Sequence, residues 1–304
     1  MKVYDVHIHS SSVLDSEQLL KQMAEAGVWG GSVFSQHPQC FSGLGRHSAV
    51  GRERLSMVLE ACKGQEGRLF PVLWIHPDEP DTIDLIAEAA ERGIAAFKCI
   101  CNSFYIGEEK GIRMLEAVAR TGKPIFFHSG ILWDDSPSSK YNRPLNWEEL
   151  LDRSSGTIDR LQGLRFSLGH CSWPWYDECI ALYGKFLANL RQHPEDNIEM
   201  FFDLTPGTPV SYRYDLFRKL LNCGYDVEHN ILWGTDCTAE DYNSEWAKKW
   251  LGTDNAIMDA LNISEGIREH IFQKNYERFL GLPGCEHHVL IPVSSDGRAV
   301  SCEQ

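Results

Sequence analysis

The stretch VYDVHIHSSSVLDSE (residues 3–17) decides the fold, because it joins a β-prone run to the connection that follows it. An open nucleotide-binding α/β sheet carries a glycine-rich loop directly after its first strand. Serines occupy that position here, and neither G-x-G-x-x-G nor G-x-x-x-x-G-K occurs in the sequence. The first strand therefore argues against an open doubly wound sheet.

Seven further runs resemble this first one, each about 6 to 9 residues long and rich in β-branched or aromatic residues. The eight runs are KVYDVHIH, VWGGSVFS, RLFPVLWIH, IAAFKCIC, PIFFHSG, LRFSLGHC, IEMFFDLT and NILWGTD. Strands that are apolar nearly throughout indicate a parallel sheet covered on both faces. Eight such units predict an α/β fold, a single-domain (β/α)8 TIM barrel over residues 1–282, followed by a C-terminal tail over 283–304.

Helical patterns lie between the runs. Apolar residues at i, i+1 and i+4 form one stripe of a helix, and they recur at Leu19, Leu20, Met23 and at Leu85, Ile86, Ala89. Several of these patterns stop at a glycine just before the next run, as at Gly27, Gly93, Gly122 and Gly163. Glycine in the left-handed conformation commonly ends a helix, so these positions predict helix ends.

Composition narrows the class of protein. The net charge of −14 leaves no basic surplus to neutralise nucleic-acid phosphates, and no apolar run is long enough for a transmembrane helix. Neither a secretory leader nor a C-x-x-C zinc motif is expected, so the ten cysteines predict a reduced, cytoplasmic protein. Cys99 and Cys101 are expected to pack as small apolar side chains. The sequence favours a small-molecule substrate over a nucleic acid or a membrane, and it is compatible with a homo-oligomer.

Two connections are longer than a bare barrel needs. Residues 131–160 follow the fifth run, and residues 237–262 follow the eighth. Because loops at the carboxyl ends of barrel strands surround the active site, we expect these two to cap a pocket. The alternative is that their aromatic residues only pack helices. The residues concerned are Trp133, Asp134, Asp135, Tyr141, Arg143, Trp147, Tyr242, Trp246 and Trp250.

Ionisable residues stand at the carboxyl ends of several runs, where barrel strands converge. His7 and His9 share one strand face, with Asp5 one layer deeper, because side chains alternate along a strand. Buried polar groups need partners, and a divalent cation would serve all of them, most readily zinc given imidazole and carboxylate donors. The predicted ligand set is His7, His9, His128, His170 and Asp236.

Other polar residues have plainer explanations beside the functional ones. His76 fits a hydrogen-bonded or capping histidine, and His37 and His47 fit solvated loop positions. Lys98 is expected to be a cation facing the pocket or a salt-bridge partner, and Asp203 to orient a neighbour or pair with a lysine.

Together these motifs resemble the amidohydrolase superfamily, in particular its amidohydrolase-2-like branch, which includes aminocarboxymuconate-semialdehyde decarboxylase. The resemblance spans about residues 3–282 and lies in YDVHIH, GIAAFKCICNSF, GKPIFFHSG, LGHCSWPW, ILWGTDC and IFQKNYERFLGL. DCT follows Asp236 where relatives often have a small residue and a proline, and CNSFYIG is a distinctive stretch on the substrate side, so the resemblance does not carry over a substrate.

The resemblance implies roles for individual residues. His7, His9 and His128 would be neutral ligands and Asp236 the anionic one, while His170 would be a second-metal ligand or polarise the substrate. Lys98 occupies the position of a carboxylated bridging lysine in two-metal members, but a lysine in this FK context usually accompanies one ion. One Zn²⁺ is therefore expected, and two if Lys98 is carboxylated.

The expected chemistry is metal-assisted hydrolysis at a carbonyl carbon of a small carboxylate, ester, lactone or amide. The ion would lower the pKa of its bound water from 15.7 to about 7, Asp236 would transfer the proton, and His170 with Lys98 would stabilise the oxyanion. The predicted substrate contacts are Asn102, Tyr105, His76, Trp133 and Arg143; the carboxylate preference rests on Lys98 and Arg143 lining the mouth.

Three alternatives remain open at this point. A decarboxylase or hydratase could use the same ligands. A phosphoesterase also opens with D-x-H-x-H, although such proteins usually end with an Asp-x-His pair where this chain has TDCT. A non-catalytic metal-binding protein is the third alternative.

Overall fold

The computed structural model describes residues 1–11, 14–41, 49–134 and 136–285. Over these residues it contains one parallel sheet of nine strands. Each of the eight predicted runs contains one of the first eight strands. The strands are β1 (Tyr4–His9), β2 (Gly30–Phe34), β3 (Leu69–Trp74), β4 (Ala96–Cys99), β5 (Ile125–Phe127), β6 (Arg165–Leu168), β7 (Glu199–Asp203), β8 (Ile231–Leu232) and β9 (Cys237–Thr238).

The strands lie in sequence order from β8 down to β1, and β9 then pairs with the other edge of β1. The eighth predicted run is interrupted between β8 and β9, where Asp236 has a positive φ of 62° that a regular strand does not allow. Backbone hydrogen bonds still tie this interrupted segment to β1, from Val6 N to Trp233 O at 3.0 Å and from Asp236 N to His7 O at 3.1 Å. The chain thus has the predicted α/β architecture with a curled parallel sheet, and Asp236 lies beside the histidines of β1.

Helices follow most of the strands. They are α1 (Ser16–Glu25), α2 (Gly51–Cys62), α3 (Thr82–Glu91), α4 (Glu109–Thr121), α5 (Thr157–Arg160), α6 (Tyr176–Gln192), α7 (Val210–Leu221), α8 (Ser244–Ala260), α9 (Glu265–Glu269) and α10 (Asn275–Leu280). A π-helical turn, His270–Lys274, joins the last two. Across the described residues, no helix combines the length and apolar character needed to cross a membrane.

The predicted helix faces and helix ends are confirmed. The α1 helix buries Leu19, Leu20 and Met23, and α3 buries its own predicted stripe, Leu85, Ile86 and Ala89. The Asp15 carboxylate caps α1 by accepting hydrogen bonds from the backbone N–H groups of Glu17 and Gln18. All four predicted glycine ends have positive φ, between 68° and 91°. The helices therefore bury one stripe each against the sheet.

An aromatic column fills the sheet interior between α10 and the imidazole of His7. Phe279 of α10 contacts Phe126 and Phe201, with ring centroids 4.8 and 4.9 Å apart. Phe126 in turn contacts Phe34 at 5.4 Å, and Phe34 contacts the imidazole of His7 at 4.8 Å. The column leads from α10 to the ionisable residues at the carboxyl ends.

The two long connections divide between packing and cavity lining. Trp147, Tyr242 and Trp250 are buried, so the helix-packing alternative holds for them. Trp133 instead is 81% exposed and lines a cavity at the carboxyl ends of the strands. Asp135, His47 and residues 286–304, which include most of the predicted tail, lie outside the described residues. Cys99 and Cys101 are buried as predicted.

Candidate active site

A cavity of about 650 Å³ opens at the carboxyl ends of the strands. Its lining includes every residue predicted to bind metal, together with the predicted catalytic lysine. These residues are His7, His9, Lys98, His128, His170 and Asp236. The curled sheet thus collects side chains from β1, from β4, from the residues that follow β5 and β6, and from the segment before β9.

His7, His9 and Asp236 form the tightest group in this cavity. Asp236 Oδ1 lies 3.2 Å from His9 Nε2 and 3.7 Å from His7 Nε2, and each residue offers a ligand atom within 4.8 Å of the other two. Zinc–nitrogen and zinc–oxygen bonds of about 2.0–2.2 Å in tetrahedral geometry separate ligand atoms by roughly 3.3–3.5 Å. The spacing of these three side chains therefore fits a shared metal ion.

Electrostatics favour the forms that bind a cation. Burial is the main cause that lowers the pKa of His7 to about 3, with the nearby Lys98 adding to it. Burial would raise the pKa of Asp236, but the hydrogen bond from His9 and the neighbouring His170 and His7 hold it well below its ordinary value. Metal ligands must be neutral imidazoles or ionised carboxylates, and these environments favour both.

His128 and His170 lie beside this group. Their rings are 4.9 Å apart, and the ring of His170 is 5.4 Å from that of His7. His170 Nδ1 contacts the carbonyl oxygen of Pro206 at 3.2 Å, and His128 Nε2 contacts that of Ile131 at 3.1 Å. Because a carbonyl only accepts, these nitrogens carry protons, which leaves the other nitrogen of each ring as the one that could bind a cation.

Lys98 reaches the same group from β4. Its Nζ lies 3.4 Å from His7 Nε2 and 5.1 Å from the ring centroid of Phe34. Burial lowers the pKa of Lys98 to about 8, against the opposing attraction of Asp203 and Asp236. Lys98 faces the cavity, as the sequence predicts.

Asp5 is fully buried, but the register of β1 against β2 shifts between Asp5 and Ile8, so the predicted alternation does not continue regularly from Asp5 to His7. Its carboxylate accepts hydrogen bonds from Thr235 Oγ1 at 2.5 Å, from Tyr242 Oη at 2.9 Å and from the backbone N–H of His7 at 3.1 Å. Burial raises the pKa of Asp5 to about 7. Asp5 thus joins β1 to the interrupted segment that carries Asp236.

Four of the five predicted substrate contacts lie outside the lining of this cavity; Trp133 is the exception. His76 is fully buried and contacts Asn102 Oδ1 at 3.0 Å. Arg143 is held by Glu178 at 2.6 Å. Tyr105 borders a separate cavity of about 340 Å³. These partners hold the side chains elsewhere, so direct substrate contact in the main cavity is not proposed for His76, Asn102, Tyr105 or Arg143.

Several lining residues escaped the sequence analysis. Trp74 lines the cavity and pairs with Lys98 in the register of β3 and β4, a neighbour relation that only the sheet pairing shows. Trp173 and Phe41 add further aromatic surface. His37 was expected to be a solvated loop residue, but it lines the cavity 6.2 Å from the ring of Trp74. Its loop position concealed that contact.

Comparison with known families agrees with this geometry. The amidohydrolase family model matches residues 17–282. The chain therefore belongs to the amidohydrolase family and is an enzyme of that family. The matched range begins after the two histidines of β1, so their place in the site rests on the structure. A search of curated proteins finds no match.

Solved structures share the fold at low sequence identity. The 2,6-dihydroxybenzoate decarboxylase from Rhizobium is 14% identical, with 93% of this chain and 100% of that chain covered and a TM-score of 0.62. An amidohydrolase from Burkholderia multivorans is 11% identical, with coverages of 93% and 100% and a TM-score of 0.60. The dihydroorotase from Campylobacter jejuni is 14% identical, with coverages of 94% and 84% and a TM-score of 0.52. These likenesses concern the fold.

Proposed function

We propose that this protein is a metal-dependent hydrolase that directs water to a carbonyl carbon of a small ester, lactone or amide. The observation that carries the proposal is the Asp236 carboxylate, 3.2 Å from His9 Nε2 and 3.7 Å from His7 Nε2 inside the cavity. A carboxylate placed there can hold a cation with one oxygen and a proton with the other.

We propose further that the curled sheet is a closed (β/α)8 barrel, with β8 and β9 as two parts of the eighth strand. The hydrogen bond from Val6 N to Trp233 O, at 3.0 Å, supports closure between the eighth and first positions. Closure brings side chains distant in the sequence to one mouth.

The donor set fits one divalent ion, with zinc as the first candidate because its donors are imidazole and carboxylate groups. His7, His9 and Asp236 would hold it, and His128 and His170 are the candidates to complete the shell. When bound, such an ion lowers the pKa of water and polarises a carbonyl oxygen.

The side chains then have distinct tasks. Asp236 accepts the proton of the attacking water and passes it to the leaving group. Lys98 donates to the developing oxyanion, since its ammonium group is buried at the cavity wall. His170 directs Nδ1 to the carbonyl oxygen of Pro206, so its other ring nitrogen is the one that would act as a metal ligand.

The walls indicate a substrate with an apolar or aromatic body. Trp74, Phe41, Trp173 and Leu132 line the cavity, and Lys98 is the one lysine or arginine among its described lining residues. Since Arg143 is paired with Glu178, the carboxylate preference that rested on it loses support. Small aryl or alicyclic esters, lactones and amides are the compounds to test first.

Decarboxylation is the second candidate, because the same apolar walls would desolvate a substrate carboxylate next to the ion. The two reactions differ in water consumption. Turnover in ¹⁸O-labelled water places the label in the product of hydrolysis, whereas decarboxylation releases CO₂ from an aryl carboxylate without incorporating it.

Asp236→Asn tests the proposal directly. The amide can neither accept the water proton nor supply the anionic ligand, so kcat should fall by about 10²–10⁴-fold. The circular dichroism spectrum should stay unchanged, because Asp236 is 37% exposed and lies at a cavity wall. The proposal fails if the purified variant hydrolyses the best screened substrate at the wild-type rate.

A further inference from the structure

A buried carboxylate lies behind His7, on the side away from the cavity. Asp203, the last residue of β7, is fully buried and is not among the cavity-lining residues. Its Oδ2 lies 2.8 Å from His7 Nδ1, and its Oδ1 accepts the backbone N–H of Thr205 at 2.8 Å. Both carboxylate oxygens are thus used.

This contact decides which nitrogen of His7 carries the proton. An ionised carboxylate only accepts, so Nδ1 must donate, and the unprotonated Nε2 of a neutral imidazole can then accept from Lys98 Nζ, 3.4 Å away. Nε2 is the nitrogen that faces Asp236 Oδ1, at 3.7 Å. The tautomer that Asp203 selects is therefore the one that can bind a cation in the cavity.

His7 differs in this respect from His128 and His170. Those two histidines contact the backbone carbonyl groups of Ile131 and Pro206. A backbone carbonyl group remains when the side chain of its residue is substituted. The tautomer of His7 depends on a side chain. A carboxylate partner also increases the basicity of a ligating imidazole.

We infer that Asp203 is a positioning residue that fixes the His7 tautomer and thereby sets the affinity of the site for its metal ion. The inference rests on the proposed metal site but not on the reaction. Asp203 acts through His7, since it touches neither the cavity nor the reacting groups. An outer-sphere partner of this kind typically changes metal affinity by about 10–100-fold.

Asp203→Asn is the informative variant. Its amide NH₂ can turn towards Nδ1 and donate to it, which moves the imidazole proton to Nε2 and blocks the ligand lone pair. Competition with a chromogenic chelator should show Zn²⁺ affinity reduced by about 10–100-fold. Asp203→Glu keeps an acceptor and should recover part of that loss.

Asp5→Asn is the matched control, because it makes the same substitution at another fully buried aspartate near His7. Asp5 contacts the backbone of His7 rather than its ring. This variant should lower the melting temperature without changing the His7 tautomer. Equal losses of Zn²⁺ affinity in Asp5→Asn and Asp203→Asn would mean that Asp203 has only a structural role, which overturns the inference.

¹⁵N NMR of the histidine side chains in metal-free protein reports the tautomer directly. This readout requires neither turnover nor bound metal. In the wild type, His7, assigned with His7→Gln, should show a protonated Nδ1 and an unprotonated Nε2, and Asp203→Asn should reverse them. A wild-type protein with the proton on Nε2 overturns the inference. Absence of hydrolysis with every substrate would instead refute the proposed function and leave this result standing.

Discussion

The carboxyl ends of the strands hold ionisable side chains around a cavity, whereas the sheet interior next to α10 is filled by aromatic rings. His7, Lys98 and Asp236 are close together in the first region, and Phe279 packs on Phe126 and Phe201 in the second. Packed aromatic groups stabilise the fold, while crowded ionisable groups need a partner that the fold does not supply. This division predicts that substitutions in the two regions separate stability from chemistry.

A large effect on stability is expected in the aromatic interior next to α10. Phe279→Ala removes a fully buried ring and should lower the free energy of unfolding by about 3–5 kcal/mol. Urea denaturation measures this loss, and the folded fraction should keep its affinity for Zn²⁺. A loss below about 1 kcal/mol would contradict the view that these rings stabilise the sheet.

Metal removal is expected to have a smaller effect on stability than Phe279→Ala, and it acts at the carboxyl ends. An ion present at 100 times its Kd stabilises the folded state by about 2.7 kcal/mol, so chelation should lower the melting temperature and abolish turnover. Readdition of Zn²⁺ should restore both. Asp236→Asn lacks the anionic ligand and should respond less; an equal shift in both proteins would place the ion elsewhere.

Trp133 and Trp147 belong to the same long connection and sharpen the comparison. Trp133→Ala removes an 81% exposed side chain that lines the cavity, so KM should rise by about tenfold, or 1.4 kcal/mol, with an unchanged melting temperature. Trp147 is fully buried and packs 5.3 Å from Phe127. Trp147→Ala should instead destabilise the fold by about 3–5 kcal/mol. If the two variants behaved alike, exposure would not separate their roles.

Arg143→Gln should have the smallest effect. Arg143 is 49% exposed and paired with Glu178, and exposed ion pairs contribute about 0–1 kcal/mol to stability. KM should not change for neutral or anionic substrates, because the guanidinium lies outside the cavity lining. A clear rise in KM for anionic substrates alone would return Arg143 to the site.

Sequence patterns predicted the elements well because each depends on local periodicity. The buried stripes Leu19, Leu20, Met23 and Leu85, Ile86, Ala89 follow from helical spacing. The shared face predicted for Asp5 and His7 is less secure, because the register of β1 shifts between Asp5 and Ile8 and regular alternation needs an unbroken strand. The cavity set also followed, because an ionisable residue that ends an apolar run is costly unless it meets a partner.

Contacts between distant segments could not be predicted in the same way. The pairing of His7 with Asp203 joins positions 196 residues apart, and His76, Asn102 and Arg143 found partners outside the cavity. His37 and Trp173 reach the cavity from loops, for which no periodicity fixes the side-chain direction.

The sequence by itself determined the alternating strands and helices and the ionisable residues at the strand ends. Both follow from the spacing of apolar and polar residues within a single segment. Only the tertiary structure decided which nitrogen of His7 faces Asp236, and which aromatic residues line the cavity. These depend on distances between segments that meet only when the sheet curls.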